Sequence, residues 1–333
     1  MRPLVAVVAT GGTIASRGRD ALDIQDYGAS GLPMLDAAAL VALVPELALV
    51  AEVLPVPFDT VPSTAMGFAR WRALAETITQ LEAAHPTLAG VVVTHGTSAM
   101  EETAYALDLG LAARVTVVLT GAQRPATAIS SDGPMNLVNA VRVAAHPEAR
   151  GLGVLVVMND EVHAAREVTK ASNGRLHAFR SPTWGPLGVA DGDAVVLRRR
   201  PAPAGPRHDI GTMAAPPRVD ILYAHADGDG VAVEAFLAAG ARGIVAAGFG
   251  PGFVTPAERE ALRGAIARGC TVVLSSRTGS GRVFRATRYA AQGFLSAEDL
   301  NPQKARIRLA FALAEADAAG AAAAFAQGTF GSA

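Results

Sequence analysis

The chain alternates short apolar runs with longer amphipathic stretches. Leu4–Ala9, Val91–Val93, Val115–Leu119, Val154–Met158, Val219–Tyr223, Gly243–Ala247 and Thr271–Leu274 are apolar and largely β-branched. Runs of this kind bounded by turn formers read as strands buried on both faces. Between them, Ala65–Ala84, Ala99–Ala112, Met135–Ala145, Val231–Ala239 and Pro256–Arg268 carry helical periodicity. The alternation predicts an α/β fold, with a parallel or mixed sheet covered by helices. Helix starts are legible. Ser98 with Glu101 has the form of a capping box, and the stretch Thr255, Pro256 and Glu258 puts a capping residue before a first-turn proline. Asp132-Gly133-Pro134 opens a further helix. The Ala-rich tail from Ala312 to Ala326 reads as a terminal helix; it includes Glu315, Asp317 and Gly320 and is no membrane span.

Two stretches break the alternation. Residues 14–33 contain four glycines or prolines, mixed charge and no sustained period. Placed directly after a strand and its turn, a loop of that length is expected to act as a lid. Residues 198–217 hold five of the twenty prolines, which predicts an extended linker. The expected organisation is an N-terminal domain over 1–197, the linker, and a C-terminal α/β domain over 218–333.

Charge and composition narrow the functions. Half of the 333 residues are hydrophobic and the formal net charge is −1, so a basic nucleic-acid footprint is not expected. The basic run Arg198–Arg200 lies beside prolines and reads as a solvated linker. The single cysteine, Cys270, permits no intrachain disulfide and reads as a buried structural thiol. A strand begins within four residues of the N-terminus, with no cationic segment and cleavage site before it. A cytoplasmic protein without membrane contact is the expectation.

The candidate chemistry rests on hydroxyls. The seven histidines form no metal-ligand spacing, the glycine-rich turn lacks the third glycine of a dinucleotide fingerprint, and no G-x-S-x-G elbow is present. No metal or organic cofactor is expected. Two strand-ending loops, Thr10-Gly11-Gly12-Thr13 and Thr94-His95-Gly96-Thr97-Ser98, each present a threonine where open α/β sheets bind ligands. A threonine hydroxyl needs a partner that takes its proton. Tyr27 and Lys170 are candidates, since a buried lysine can lose its charge. Taken singly, such residues more often satisfy backbone groups, pack, or carry a solvated charge.

Longer motifs go further. ATGGTIAS at 9–16, VVVTHGTSAMEETAYALDL at 91–109, LTGAQRPATAISSDGPMNLVNAV at 119–141, GVLVVMNDEVHAAREVTK at 153–170 and LNPQKAR at 300–306 together resemble the bacterial-type L-asparaginase/glutaminase family. The resemblance implies a two-domain α/β fold and a homotetramer built from tight dimers. It also implies hydrolysis of a side-chain amide, L-asparagine to L-aspartate and ammonia, through a threonine acyl-enzyme. By position it gives Thr13 as nucleophile, Tyr27 as the lid tyrosine bonded to it, Thr97 as the second-loop threonine and Lys170 as its lysine partner. Ser63, in VPSTAM, takes the serine position that binds the substrate α-carboxylate. Backbone N–H groups near Gly96, Thr97 and Ala122 suit an oxyanion or carboxylate.

The sequence also departs from the family pattern. Ser98 stands where an aspartate contacts the substrate ammonium, and Pro251 where an asparagine is usual. Ser275–Phe284 offers no glutamate for the intersubunit contact to the amino group. Two alternatives follow. One is an amidase of the same fold that prefers glutamine or an amide lacking a free α-amino group. The other is a catalytically weak ligand-binding homologue.

Overall fold

The computed structural model describes residues 2–202 and 207–326. The chain divides into two compact units, through Ala202 and from Pro203 onward. Residues 203–206, inside the expected linker, and 327–333, at the end of the expected C-terminal domain, lie outside the described residues.

Among the described residues, the first unit holds ten strands and five longer helices. The strands are β1 Leu4–Ala9, β2 Glu52–Pro57, β3 Leu88–Thr94, β4 Thr116–Thr120, β5 Val154–Met158, β6 Glu161–Ala164, β7 Thr169–Lys170, β8 Phe179–Arg180, β9 Gly188–Asp191 and β10 Ala194–Leu197. The helices are α1 Ala37–Ala42, α2 Leu47–Val50, α3 Phe68–Ala84, α4 Met100–Gly110 and α5 Gly133–Ala145. Eight strands form one mixed sheet in the order β10-β9-β6-β5-β4-β3-β1-β2, while β7 and β8 make a separate hairpin. From β5 to β2 every pairing is parallel, and from β5 to β10 every pairing is antiparallel.

Burial explains the composition of the central strands. Val5, Val7, Val92, Val118, Leu155 and Val157 pack with Leu137, Val141 and Val143 of α5 in one apolar core. The alternate residues Ala6, Val8, Val91, Val93 and Val117 are buried as well, so both faces are covered. Strand β2 differs. It is an edge strand, half-buried, with Pro55 and Pro57 in its run. Glu52 N–H donates to Pro3 O toward β1. Successive residues of a strand alternate in direction, so Val53, Pro55 and Pro57 direct their backbone nitrogens to the free edge.

The second unit has a parallel sheet in the order β11-β12-β13-β14, formed by β11 Val219–Tyr223, β12 Gly243–Gly248, β13 Thr271–Ser276 and β14 Leu295–Ser296. Its helices are α6 Val231–Ala238, α7 Pro256–Ala267, α8 Thr287–Ala290, α9 Pro302–Glu315 and α10 Ala318–Ala326. Val233, Leu262 and Ala265 close a core over Ile244, Ala246 and Val272. Cys270 is buried in it, and burial pushes its thiol up to about 11.

Several local expectations need correction. Ser98 does not cap α4: the cap position is Ala99, without a side-chain bond, and the Glu101 carboxylate is engaged elsewhere. Thr255 does cap α7, and its reciprocal bonds with Glu258 make a full capping box. The tail is two helices, interrupted at Ala316 and Asp317. The basic run is not simply solvated, because the Arg199 guanidinium pairs with the Glu167 carboxylate, whose side chain is almost wholly buried. The linker's later residues also pack. Ile210 and Met213 are buried, and His208 Nδ1 lies 2.8 Å from Glu315 Oε2. Among the described residues no helix is long and apolar enough to cross a membrane.

Candidate active site

Four neighbouring parallel strands, β4, β3, β1 and β2, end on one edge of the large sheet, and the loops that leave them are tied to one another. Thr10 donates through both its N–H and its hydroxyl to Thr94 O, at 3.1 and 2.9 Å. His95 N–H donates to Thr120 O at 2.8 Å, and Val61 N–H donates to Thr10 O at 3.1 Å. The segments 10–13, 94–98, 120–124 and 58–63 therefore form one continuous rim.

Glycine makes the rim tight. Gly12 has φ 88° and ψ −176°, a conformation essentially confined to glycine. A Cβ there would stand 2.3 Å from Gly96 Cα and 2.4 Å from Gly96 N. A Cβ on Gly96 would come within 2.8 Å of both Cβ and Oγ of Ser63, itself buried. Glycines at 12 and 96 thus bring the Thr13 loop, the Thr97 loop and Ser63 into direct contact.

Each threonine hydroxyl then finds a partner far along the chain. Thr13 Oγ1 lies 2.8 Å from the phenolic oxygen of Tyr27, and both residues are partly exposed. Thr97 Oγ1 is buried and lies 2.7 Å from Lys170 Nζ, which reaches it from β7. Burial pushes the Lys170 amine below the ordinary lysine value. As an ammonium it donates to Thr97; as a free amine it accepts.

The segment expected to form a lid is partly wall. Ile14, Ala15 and Ser16 are buried, and the Ser16 hydroxyl donates to Gly12 O at 3.0 Å. Beyond them the loop is stitched to its surroundings: Gly18 N–H donates to Thr127 Oγ1 at 2.8 Å, and the Ser30 hydroxyl donates to Arg17 O at 2.7 Å. Tyr27 stands in a single 3-10 turn, Tyr27–Ala29, with exposed residues on either side.

The third loop is fixed by α5. The Asp132 carboxylate accepts from the N–H groups of Gln123 and Arg124 at 2.9 to 3.1 Å, and Asn136 Nδ2 donates to Gly121 O at 3.0 Å. Ala122 is fully buried between these anchors. Ser98 is exposed at the start of α4. Its neighbour His95 is fully buried. Nδ1 faces Gly96 O at 2.7 Å, Nε2 has no partner, and desolvation lowers its pKa to about 4. The ring is therefore neutral near pH 7, with the Nδ1 proton on the carbonyl.

Motif reading missed Glu101 as part of this assembly. Its buried carboxylate reaches the strand that carries Lys170, a contact that spans 69 residues and that no local spacing announces. Among the described residues no group of three or more His, Cys, Asp or Glu is arranged to hold a metal ion.

Comparison with known proteins agrees with this architecture. The family model for the asparaginase N-terminal domain matches residues 4–203, and that for the glutaminase/asparaginase C-terminal domain matches residues 218–325. L-asparaginase 2 of Bacillus subtilis is 38% identical over 93% of this chain and 82% of its own length. The glutaminase-asparaginase of Pseudomonas fluorescens is 38% identical over 93% of this chain and 86% of its own. The crystal structure of a probable cytoplasmic L-asparaginase from Campylobacter jejuni superposes with a TM-score of 0.90 at 36% identity, covering 98% of this chain and all of that one. The protein is accordingly an amidohydrolase, a hydrolase acting on linear amides. The chain belongs to the bacterial-type asparaginase family.

Proposed function

We propose that the protein converts L-asparagine to L-aspartate and ammonia through an acyl-enzyme on Thr13. The observation that carries this reading is the pairing of two hydroxyls on touching loops, Thr13 with Tyr27 at 2.8 Å and Thr97 with Lys170 at 2.7 Å. Thr13 Oγ1 forms a bond to the amide carbon as its proton passes toward Tyr27 or the Thr97–Lys170 pair. Backbone N–H groups near Gly96, Thr97 and Ala122 meet the negative charge that develops on the amide oxygen. The carbon–nitrogen bond breaks, the nitrogen takes up a proton, and ammonia leaves. Water then attacks the ester carbon and restores the Thr13 hydroxyl. Ser63 is the proposed contact for the substrate α-carboxylate, supported by its burial against Gly96.

A second reading within the same chemistry draws on Ser98. An exposed serine at the head of α4 supplies no negative charge to a substrate ammonium. An amide without a free α-amino group, such as succinamic acid, is then a competitive substrate. Residence in the cytoplasm, the compartment in the name of the Campylobacter jejuni protein, and assembly as a homotetramer belong to the same proposal.

Ammonia release from L-asparagine, L-glutamine and succinamic acid, by wild type and Thr13→Ala, tests the proposal. Loss of a catalytic nucleophile costs up to roughly 10⁶ in turnover. A folded Thr13→Ala retaining more than a few per cent of wild-type turnover excludes Thr13 as the nucleophile. Release from glutamine alone excludes asparagine as the substrate.

A further inference from the structure

The geometry points to Glu101 as the positioning residue of the Lys170 amine: its buried carboxylate and the Thr97 hydroxyl, on one short segment, hold Lys170 at both ends. This inference rests on the proposed role of Lys170 and extends it to the residue that sets the amine's place.

Lys170 belongs to β7, a two-residue strand whose sheet partner is the equally short β8. A hairpin that small carries little order of its own. Its position relative to the rim must therefore come from contacts made across the fold. Glu101 provides one. Its Oε1 accepts from Lys170 N–H at 3.2 Å and from the Thr169 hydroxyl at 3.1 Å. At the other end of the same residue, Lys170 Nζ lies 2.7 Å from Thr97 Oγ1.

Thr97 and Glu101 are four residues apart, at the turn into α4 and in its first turn, so they move as one piece. Displacement of β7 away from α4 must stretch the Glu101 contacts before it can open the Thr97–Lys170 gap. Val168, fully buried next to the hairpin, anchors its approach. The carboxylate also explains why the local capping pattern fails. The oxygen that would have turned back to the helix start is instead committed to the neighbouring hairpin.

A group held this way acts on rate and leaves initial binding largely alone. Misplacement of a reacting group by about 1 Å costs up to roughly 10². Glu101→Ala is expected to lower kcat for asparagine hydrolysis by about 10- to 100-fold with KM changed less than about threefold. Glu101→Gln keeps a carbonyl oxygen that accepts both bonds and removes only the charge, so it should recover most of the loss. Thr169→Val removes the hydroxyl donor to Oε1 and should fall between wild type and Glu101→Ala.

The measurement is kcat and KM for the three variants and for Lys170→Met, each checked for wild-type circular dichroism and assembly. Loss in Glu101→Ala with recovery in Glu101→Gln supports positioning. A Glu101→Ala enzyme with wild-type kcat overturns it, and so does a Glu101→Gln enzyme as slow as Glu101→Ala. If Glu101→Ala does not fold, the Gln and Thr169→Val variants decide by the same criteria. A Lys170→Met enzyme with wild-type kcat instead overturns the role given to Lys170, whatever the Glu101 variants do.

Discussion

Replacing Gly12 by alanine tests the tight rim directly. The glycine's φ of 88° with ψ near 180° costs a residue with a Cβ about 1–3 kcal/mol. The new methyl would stand 2.3 and 2.4 Å from backbone atoms of Gly96, where ordinary contact begins at 3.4 Å. Backbone cannot swing aside as a side chain can, so the two loops must part by about 1 Å, and overpacking of this kind adds roughly 1–3 kcal/mol. The expected destabilisation is about 2–6 kcal/mol. Separation of Thr13 from the Thr97 loop by that distance should lower kcat/KM by roughly 10². Gly28→Ala is the control, because a Cβ there meets nothing within 4 Å and the backbone is not left-handed. It should stay within about 0.5 kcal/mol of wild type. Urea unfolding and steady-state ammonia release on both variants decide the matter. A Gly12→Ala protein within about 1 kcal/mol of wild type, with kcat/KM within threefold, would refute the claim that glycine at 12 holds the loops together.

Three further outcomes are expected. If the Lys170 amine must be free to accept a proton, kcat/KM rises with pH through a midpoint below the ordinary lysine value; Lys170→Arg should lose that limb and about 10²–10⁴ in rate, and an unchanged profile in the variant counts against it. His95, depressed to about 4, stays neutral in the folded chain while the unfolded chain takes up a proton near pH 6.5, so its stability contribution is complete above that pH and is lost as pH falls toward 4. The loss amounts to about 3 kcal/mol, and His95→Asn should flatten the pH dependence of stability by that order, which urea midpoints at pH 7 and pH 4.5 would reveal. Ser98→Asp places a charge at an exposed position with room for it, and a hydrogen bond to a charged group contributes roughly 1.5–3 kcal/mol. The KM for L-asparagine should therefore drop by about ten- to a few hundred-fold while that for succinamic acid does not; equal change in both removes the ammonium from the explanation.

The central strands were legible because burial on both faces leaves a largely apolar run, as at Leu4–Ala9 and Thr271–Leu274. Strand β2 was not, because its two prolines interrupt the apolar run and its side chains are only half-buried. Strands β6 and β9 were too short for a pattern, and β6 spends two of its four positions on Glu161 and His163. The cap at Ser98 was misread for a different reason. Local spacing fitted, but a hairpin 68 residues away competes for the same carboxylate. The site shows the same division. The two threonine loops announce themselves by glycine and hydroxyl at strand ends. Their partners at Tyr27 and Lys170 lie 14 and 73 residues away, so residue type alone made them candidates and only the family resemblance paired each with its threonine. Glu101 lay inside one of those motifs and was assigned the wrong neighbour.

The prolines of β2 bear on how the protein avoids sticking to itself. A free sheet edge is a template on which a stray strand can dock, and fibre growth begins with such docking. Along this edge the outward nitrogens belong to Val53, Pro55 and Pro57, and only the first carries a hydrogen to offer. An incoming strand would find acceptors without the matching donors and could not zip. Copies of the chain that associate therefore do not do so by adding a strand to β2, and the sheet does not grow past this edge.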